Sequence, residues 1–267
     1  MYGRRLYSLR CRLRHSSAAA ITHAGFYMKL PKKITPCPIV ETILEIRFEA
    51  SLPGDAVFGI LYNQFKSRFD KLEKTPILSI PEQFRQTDPT FRFHPHYKLS
   101  ADNFILQIGP DVFSISNTKE YVGWEKYRSL ISDCLKDLFA ANVVKKVSRI
   151  ALRYINIFEN ANIFNNLTLD ISLRGDSIKD NNINISSEFK SGDFVNLLKI
   201  VNNARATVGK ETMNGSVVDI DTSYSKHVEN NLDTIMPLIE QAHSIEKEFF
   251  FTLLNQDYIE TLKPEFS

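Results

Sequence analysis

The sequence predicts an α+β fold, with antiparallel sheet built from two strand-rich halves, each followed by a helix that packs on the sheet. Two observations carry this reading. Stretches with a side-chain period of two follow one another directly instead of alternating with helices, which is the pattern of α+β chains and not of parallel α/β ones. Apolar residues at three- and four-residue spacing are confined to three segments, as a few helices packed on a sheet require. No apolar run approaches the ~20 residues that a membrane-spanning helix needs, so a membrane is not expected among the partners.

Residues 1–27 stand apart from this pattern. They hold Arg4, Arg5, Arg10, Arg12 and Arg14, a Ser-Ser-Ala-Ala-Ala stretch and no acid. That composition fits a mitochondrial transit peptide. It equally fits an upstream extension ahead of a first residue at Met28, which is the simpler reading, and in either case 1–27 is read as a non-folded leader. The 267-residue chain carries a formal net charge of +2, but eight of its 33 basic residues precede Glu41, the first acid. From Glu41 onward 25 basic residues face 31 acidic ones, a balance of −6. Neutralising phosphates needs the opposite excess, which counts against nucleic acid as a partner. Cys11, Cys37 and Cys134 are too few and too scattered for a disulfide framework or a zinc knuckle.

Regular patterning begins after Pro36 and Pro38. Along 40–50, Leu44, Ile46 and Phe48 point one way and Glu41, Glu45, Arg47 and Glu49 the other, as in a half-buried strand. From Gly54 and Asp55, the residues Val57, Ile60, Leu61, Phe65, Phe69 and Leu72 form one helical stripe. Strands are predicted around 76–80, 90–99, 103–109 and 112–117, with a turn at Gly109-Pro110-Asp111. A second helix starts at Trp124, with Tyr127, Leu130, Ile131, Cys134, Leu135, Leu138 and Phe139 on its core-facing side. A long strand, 147–158, closes the first half at 28–158. The Asn-rich stretch 159–187 reads as a loop or linker with one strand at 167–173. The second half, 188–267, is read as strands at 193–201, 204–211 and 216–225 and a last helix carrying Ile235, Leu238, Ile239, Ala242, Ile245 and Phe249, with Pro237 in its first turn.

Period two gathers one charged constellation: Glu41, Glu45 and Arg47; Arg149 and Arg153; Asp219 and Asp221, with Asn156 at the end of the second strand. If these strands share a sheet, their guanidiniums suit a carboxylate or phosphate, which makes a small anionic ligand one candidate partner. The simpler reading is a cross-strand ladder of salt bridges, since charged alternation is what any half-exposed strand shows. Tyr121 and Trp124, the sole tryptophan, are candidates for an aromatic wall beside the Arg149 and Arg153 face. The plainer role for Trp124 is a core plug whose indole N–H meets a backbone carbonyl.

Other motifs carry less. Asn214-Gly215-Ser216 before Asp219 and Asp221 resembles a nucleotidyltransferase signature, but leaves no room for the helix between its glycine–serine pair and its acids; Gly215 instead reads as a hairpin turn. His94-Pro95-His96 lacks a second ligand pair and reads as a surface feature. No Gly-rich phosphate loop, nucleophile elbow or HExxH occurs, so no cofactor and no metal is expected.

Pro36-Cys-Pro38-Ile-Val-Glu41, Tyr121-Val-Gly123-Trp124, Arg149-Ile-Ala-Leu-Arg153-Tyr154-Ile-Asn156, Val218-Asp219-Ile-Asp221 and His243 with Phe249 and Thr252 occur in order. Together they resemble an uncharacterised, sporadically distributed prokaryotic family of about this length. The resemblance implies a bacterial or archaeal cytoplasmic protein and brings no activity, cofactor or catalytic residue; the Arg-rich leader departs from it and keeps a mitochondrial location as the alternative. Two functions fit the sequence. One is an interaction or regulatory protein with a protein partner, linked to mobile elements or defence as the sporadic distribution suggests. The other is a small-molecule or nucleotide-binding enzyme using the charged sheet face. With no nucleophile–base or metal-ligand pattern, whether any reaction is catalysed stays open.

Overall fold

The computed structural model describes residues 29–266 apart from positions 119, 181, 209 and 210; the leader lies outside the described residues. The elements in the first half are β1 (Ile39–Ala50), α1 (Gly54–Phe65), β2 (Lys71–Lys74), α2 (Glu82–Thr87), β3 (Tyr97–Ala101), β4 (Phe104–Ile108), β5 (Val112–Thr118), α3 (Trp124–Ala140) and β6 (Val144–Glu159). A two-residue hairpin, β7 (Ser172–Leu173) and β8 (Asp176–Ser177), precedes β9 (Asn184–Ser191), β10 (Phe194–Val208), β11 (Glu211–Tyr224), α4 (Leu232–Leu253) and α5 (Gln256–Thr261). Nine strands form a single antiparallel sheet in the order β2-β3-β4-β5-β1-β6-β11-β10-β9. The fold is thus α+β, as the sequence predicts, and β6 joins the two halves by pairing with β1 on one side and β11 on the other.

Alternation sorts the two faces. Leu99, Leu106, Ile115, Leu44 and Leu152 are successive cross-strand neighbours, all buried, and form one row of the covered face. Helices α1, α3 and the first part of α4 pack on that face around Leu61, Phe65, Ile131, Leu135 and Ile239. The end of α4 and α5 cover Phe158, Ile200, Val218 and Ile220. Burying such side chains contributes about 1.5–3 kcal/mol each, so the apolar parity of each strand fixes which way the sheet faces. Among the described residues no helix is long and apolar enough to cross a membrane.

Several sequence expectations are corrected in detail. The 76–80 segment is a 3-10 turn (Pro76–Ser79), and strand β2 lies before it; Pro76 and Pro81 remove the N–H groups a ladder would need. In the Asn-rich segment the predicted strand 167–173 shrinks to β7, because Ile163, Phe164 and Leu167 are drawn into the core under α4. The stretch from 193 to 225 is one long hairpin, not three strands, and β10 passes an irregularity between Val201 and Ala204. Gly215 lies inside β11 opposite both Ala204 and Glu159, and a Cβ there would stand 2.1 Å from the Phe158 carbonyl oxygen. Its role is close strand approach, not a turn. Pro237 is the sixth residue of α4, inside the helix and past its first turn.

Candidate functional site

The charged constellation assembles on the uncovered face at the centre of the sheet. Glu41, Glu45 and Arg47 of β1, Arg149 and Arg153 of β6, and Asp219 and Asp221 of β11 share it. Arg153 stands directly opposite Asp221 in register, yet the ion pairs run diagonally. Arg153 holds Asp219 through Nε and Nη2 at 2.7 and 2.6 Å. Arg149 donates to Glu45 at 2.6 Å and to both oxygens of Asp221 at 2.9 and 3.0 Å. Arg47 meets the same Glu45 at 2.7 Å and lies over the Phe93 ring. Every guanidinium of the set is therefore already held by sheet carboxylates, which is the arrangement of a salt-bridge ladder. Arg149 and Arg153 present no empty fork to an anion, while Arg47 is held through Nε and by the Phe93 ring.

A stability difference follows from this geometry. Arg149→Met strands Asp221 and leaves Glu45 with Arg47 alone, and is expected to cost roughly 2–3 kcal/mol, between the exposed and buried limits for ion pairs. Arg153→Met strands only Asp219, which has Lys199 beside it in the ladder, and is expected to cost about 1 kcal/mol. Urea midpoints of the two variants measure this. An equal loss, or a gain for Arg153→Met, would contradict the ladder.

Asn156, Tyr121 and Trp124 are elsewhere. Asn156 has the parity of Leu152 and Tyr154, so it faces the helices; its Nδ2 donates to the Val218 carbonyl. Trp124 and Tyr121 are likewise on the helix side of the sheet, which corrects the expectation of an aromatic wall beside Arg149 and Arg153. Trp124 is half-buried, and its indole N–H donates to the Glu240 carboxylate at 3.1 Å, not to a backbone carbonyl.

These three residues meet at a cavity of about 610 Å³ between the start of α3, the second half of α4, the β1 and β6 strand ends and residues 31–39. Local structure explains each position. Asn117, at the end of β5, accepts from the Val122 N–H at 2.9 Å and fixes the turn that carries Tyr121. Gly123 adopts φ +87°, the left-handed region glycine tolerates, and lets α3 begin at Trp124. On α4, His243, Glu246, Lys247 and Phe250 recur at helical spacing and line the cavity as one stripe. Residues 31–38 cross over it as a strap, tied down where Lys33 bridges Glu265 and the Thr35 N–H donates to the Leu262 carbonyl.

The polar groups inside are unusual. Glu246 is 4% exposed, and its carboxyl makes no hydrogen bond or ion pair among the described residues. Burial pushes it up to about 8, with Lys247 pulling weakly the other way. His243 stacks on Trp124 with ring centroids 3.9 Å apart, and its Nδ1 is 3.0 Å from the Tyr154 hydroxyl. Burial, aided by the Lys247 ammonium, holds this imidazole down at about 4. At neutral pH both groups are therefore uncharged, and both line the same cavity. Burial also raises Tyr121 and Tyr154 and lowers Lys247.

Sequence reasoning did not single out Glu246, although a signal was present. Ala242, Glu246 and Phe250 follow one another at four-residue spacing on the buried stripe of α4, so a carboxyl occupies a core position. A second recess of similar size, near the start of α1, is lined by side chains already engaged with one another, such as Arg92 with Asp111 and Arg85 with His96. Among the described residues no cluster of His, Cys, Asp and Glu is arranged to hold a metal ion. No family model matches this chain, and no curated protein matches it.

Proposed function

We propose that this protein binds a small organic molecule in the cavity under the strap and acts as a ligand-responsive regulatory protein. The observation that carries the reading is Glu246, a buried carboxyl facing an accessible cavity with no hydrogen-bond partner among the described residues. Burying such a group without a partner costs several kcal/mol in general, and a bound ligand is the natural recipient of its hydrogen bond. The size of the cavity and its mainly aromatic and aliphatic walls also fit an organic ligand. The family resemblance adds a prokaryotic cytoplasmic setting, and with it the interaction or regulatory class over the enzyme class. The charged sheet face lends little support to an enzyme, because its arginines and acids neutralise one another.

The test is retention of small molecules by the full chain through native mass spectrometry, compared with an Ile39→Trp variant that fills the cavity. Ligand at a hundred times its dissociation constant raises stability by about 2.7 kcal/mol. Metabolite fractions that raise the wild-type melting temperature but not that of folded Ile39→Trp support the reading. Equal shifts for both proteins, or none for either, overturn it.

A further inference from the structure

We propose, resting on the cavity reading above, that the ligand is an organic ammonium compound whose cationic end seats against Glu246 and whose other end carries an anionic group at the cavity rim. Three features of the lining lead there. The first is the acceptor set on the floor. Glu246 offers two carboxylate oxygens, and Asn156, 2% exposed, has its Nδ2 committed to Val218 while its Oδ1 faces no donor among the described residues. An ammonium group has donors and no acceptors, so it matches the acceptor oxygens of ionised Glu246 and of Asn156.

The second feature is aromatic. Tyr121, Trp124, Tyr154, Phe250 and Phe251 all line the same space. Ring faces attract an enclosed cation, and the effect grows when water is excluded. The third is the distribution of charge with depth. The acid lies at the buried floor, whereas Lys32 and Lys126 are exposed at the rim and Lys247 is half-buried. Lys33 is 3.5 Å from Glu265, and Glu125 is the other rim acid. A molecule with its positive end inward and its negative end outward satisfies both levels, while a simple anion meets the rim lysines and gives Glu246 no opposite charge.

Seating the cation also moves a proton. The protonated carboxyl becomes a carboxylate paired with the ammonium, and the proton leaves to solvent. The other titratable groups around Glu246 are Tyr121 from the turn before α3, Tyr154 from β6, Cys37 from the strap, and His243 and Lys247 from its own helix. None of the tyrosines or the thiol ionises near neutral pH, since burial raises all three, and His243 stays neutral above about 4. Affinity for an ammonium should therefore rise with pH, by up to about tenfold per unit, and level off above pH 8.

Three probes of one shape separate the ideas: 5-aminopentanoate, hexanoate, in which a methyl replaces the ammonium, and pentylamine, which lacks the carboxylate. The sole tryptophan lies in the wall, so Trp124 fluorescence and its indole N–H resonance report occupancy. We expect 5-aminopentanoate to bind about tenfold or more tighter than hexanoate, with pentylamine between them. Glu246→Gln should erase the preference for the ammonium without abolishing hexanoate binding, and calorimetry in buffers of different ionisation enthalpy should show about one proton released at pH 7. Hexanoate binding as tightly as 5-aminopentanoate would overturn the ammonium proposal and leave the cavity reading standing. No Trp124 response to any of the three probes would overturn both.

Discussion

Tyr127→Phe is expected to lower stability by roughly 2–4 kcal/mol, although it removes a single oxygen. Tyr127 is fully buried on α3, and its hydroxyl reaches into the sheet. There it accepts the Leu44 N–H at 2.9 Å and donates to the Ile115 carbonyl at 2.6 Å, and these two residues are direct partners across β1 and β5. The hydroxyl thus stands in for a rung of the central ladder. Phenylalanine leaves both backbone groups without a partner in a water-free core, and each such loss costs about 1–3 kcal/mol. Urea unfolding of the two proteins is the measurement. A loss below about 0.5 kcal/mol would show that the strands close the gap and bond directly.

The second large effect depends on pH. The ordinary carboxyl value of 4.5 is the unfolded reference for Glu246, and the folded value is about 8. Between them the native state holds more protons than the unfolded one, so stability contributed by this group falls as pH rises through that window. His243 has the opposite sign: its ordinary 6.5 drops to about 4, so its contribution rises between pH 4 and 6.5. The two trends offset each other up to pH 6.5, and from there to pH 8 Glu246 acts alone, costing about 2 kcal/mol. Glu246→Gln is expected to abolish that decline and to be the more stable protein at pH 8.5. Glu41, raised by burial on the opposite face, is present in both proteins and cancels in the comparison. An undiminished decline in the glutamine variant would assign it to another group.

The parity of β1, β6 and β11 made much of the fold legible, because in a sheet covered on one side each alternate residue reports its own face. Glu41, Glu45, Arg149, Arg153, Asp219 and Asp221 were brought together by that rule alone. What the rule does not contain is which strand edge lies beside which, or where an irregularity flips the count. Asn156 has the parity of Leu152 and Tyr154, not of Arg149 and Arg153, and so lies in the cavity and not among the charges. The alternative that set Trp124 beside Arg149 and Arg153 failed because a residue opening a helix carries no strand parity, whereas its plainer role as a residue packed on the core holds. Gly215 was misread since a close backbone approach and a turn ask for the same residue. Glu246 was visible as a carboxyl on an apolar stripe, but its meaning required the strap, whose residues 31–38 have no periodic pattern.

The 16-residue strand β6 has a consequence for the integrity of the molecule. Its ladder with β11 spans ten residue pairs, from Gly215 with Glu159 to Tyr224 with Ile150. The strap near the beginning of the chain is meanwhile bonded to Leu262 and Glu265 near its end. The described chain thus closes on itself twice, between β6 and β11 and between residues 32–35 and 262–265. A single cut in the exposed hairpin around Arg174 and Gly175 is expected to sever covalent continuity without freeing either piece, since each contributes strands to the same sheet, and gel filtration of the nicked protein checks it. The unit of inheritance is one polypeptide, but the mechanical unit is a clasp of two interlocked segments, with the cavity under the strap at the place where they fasten.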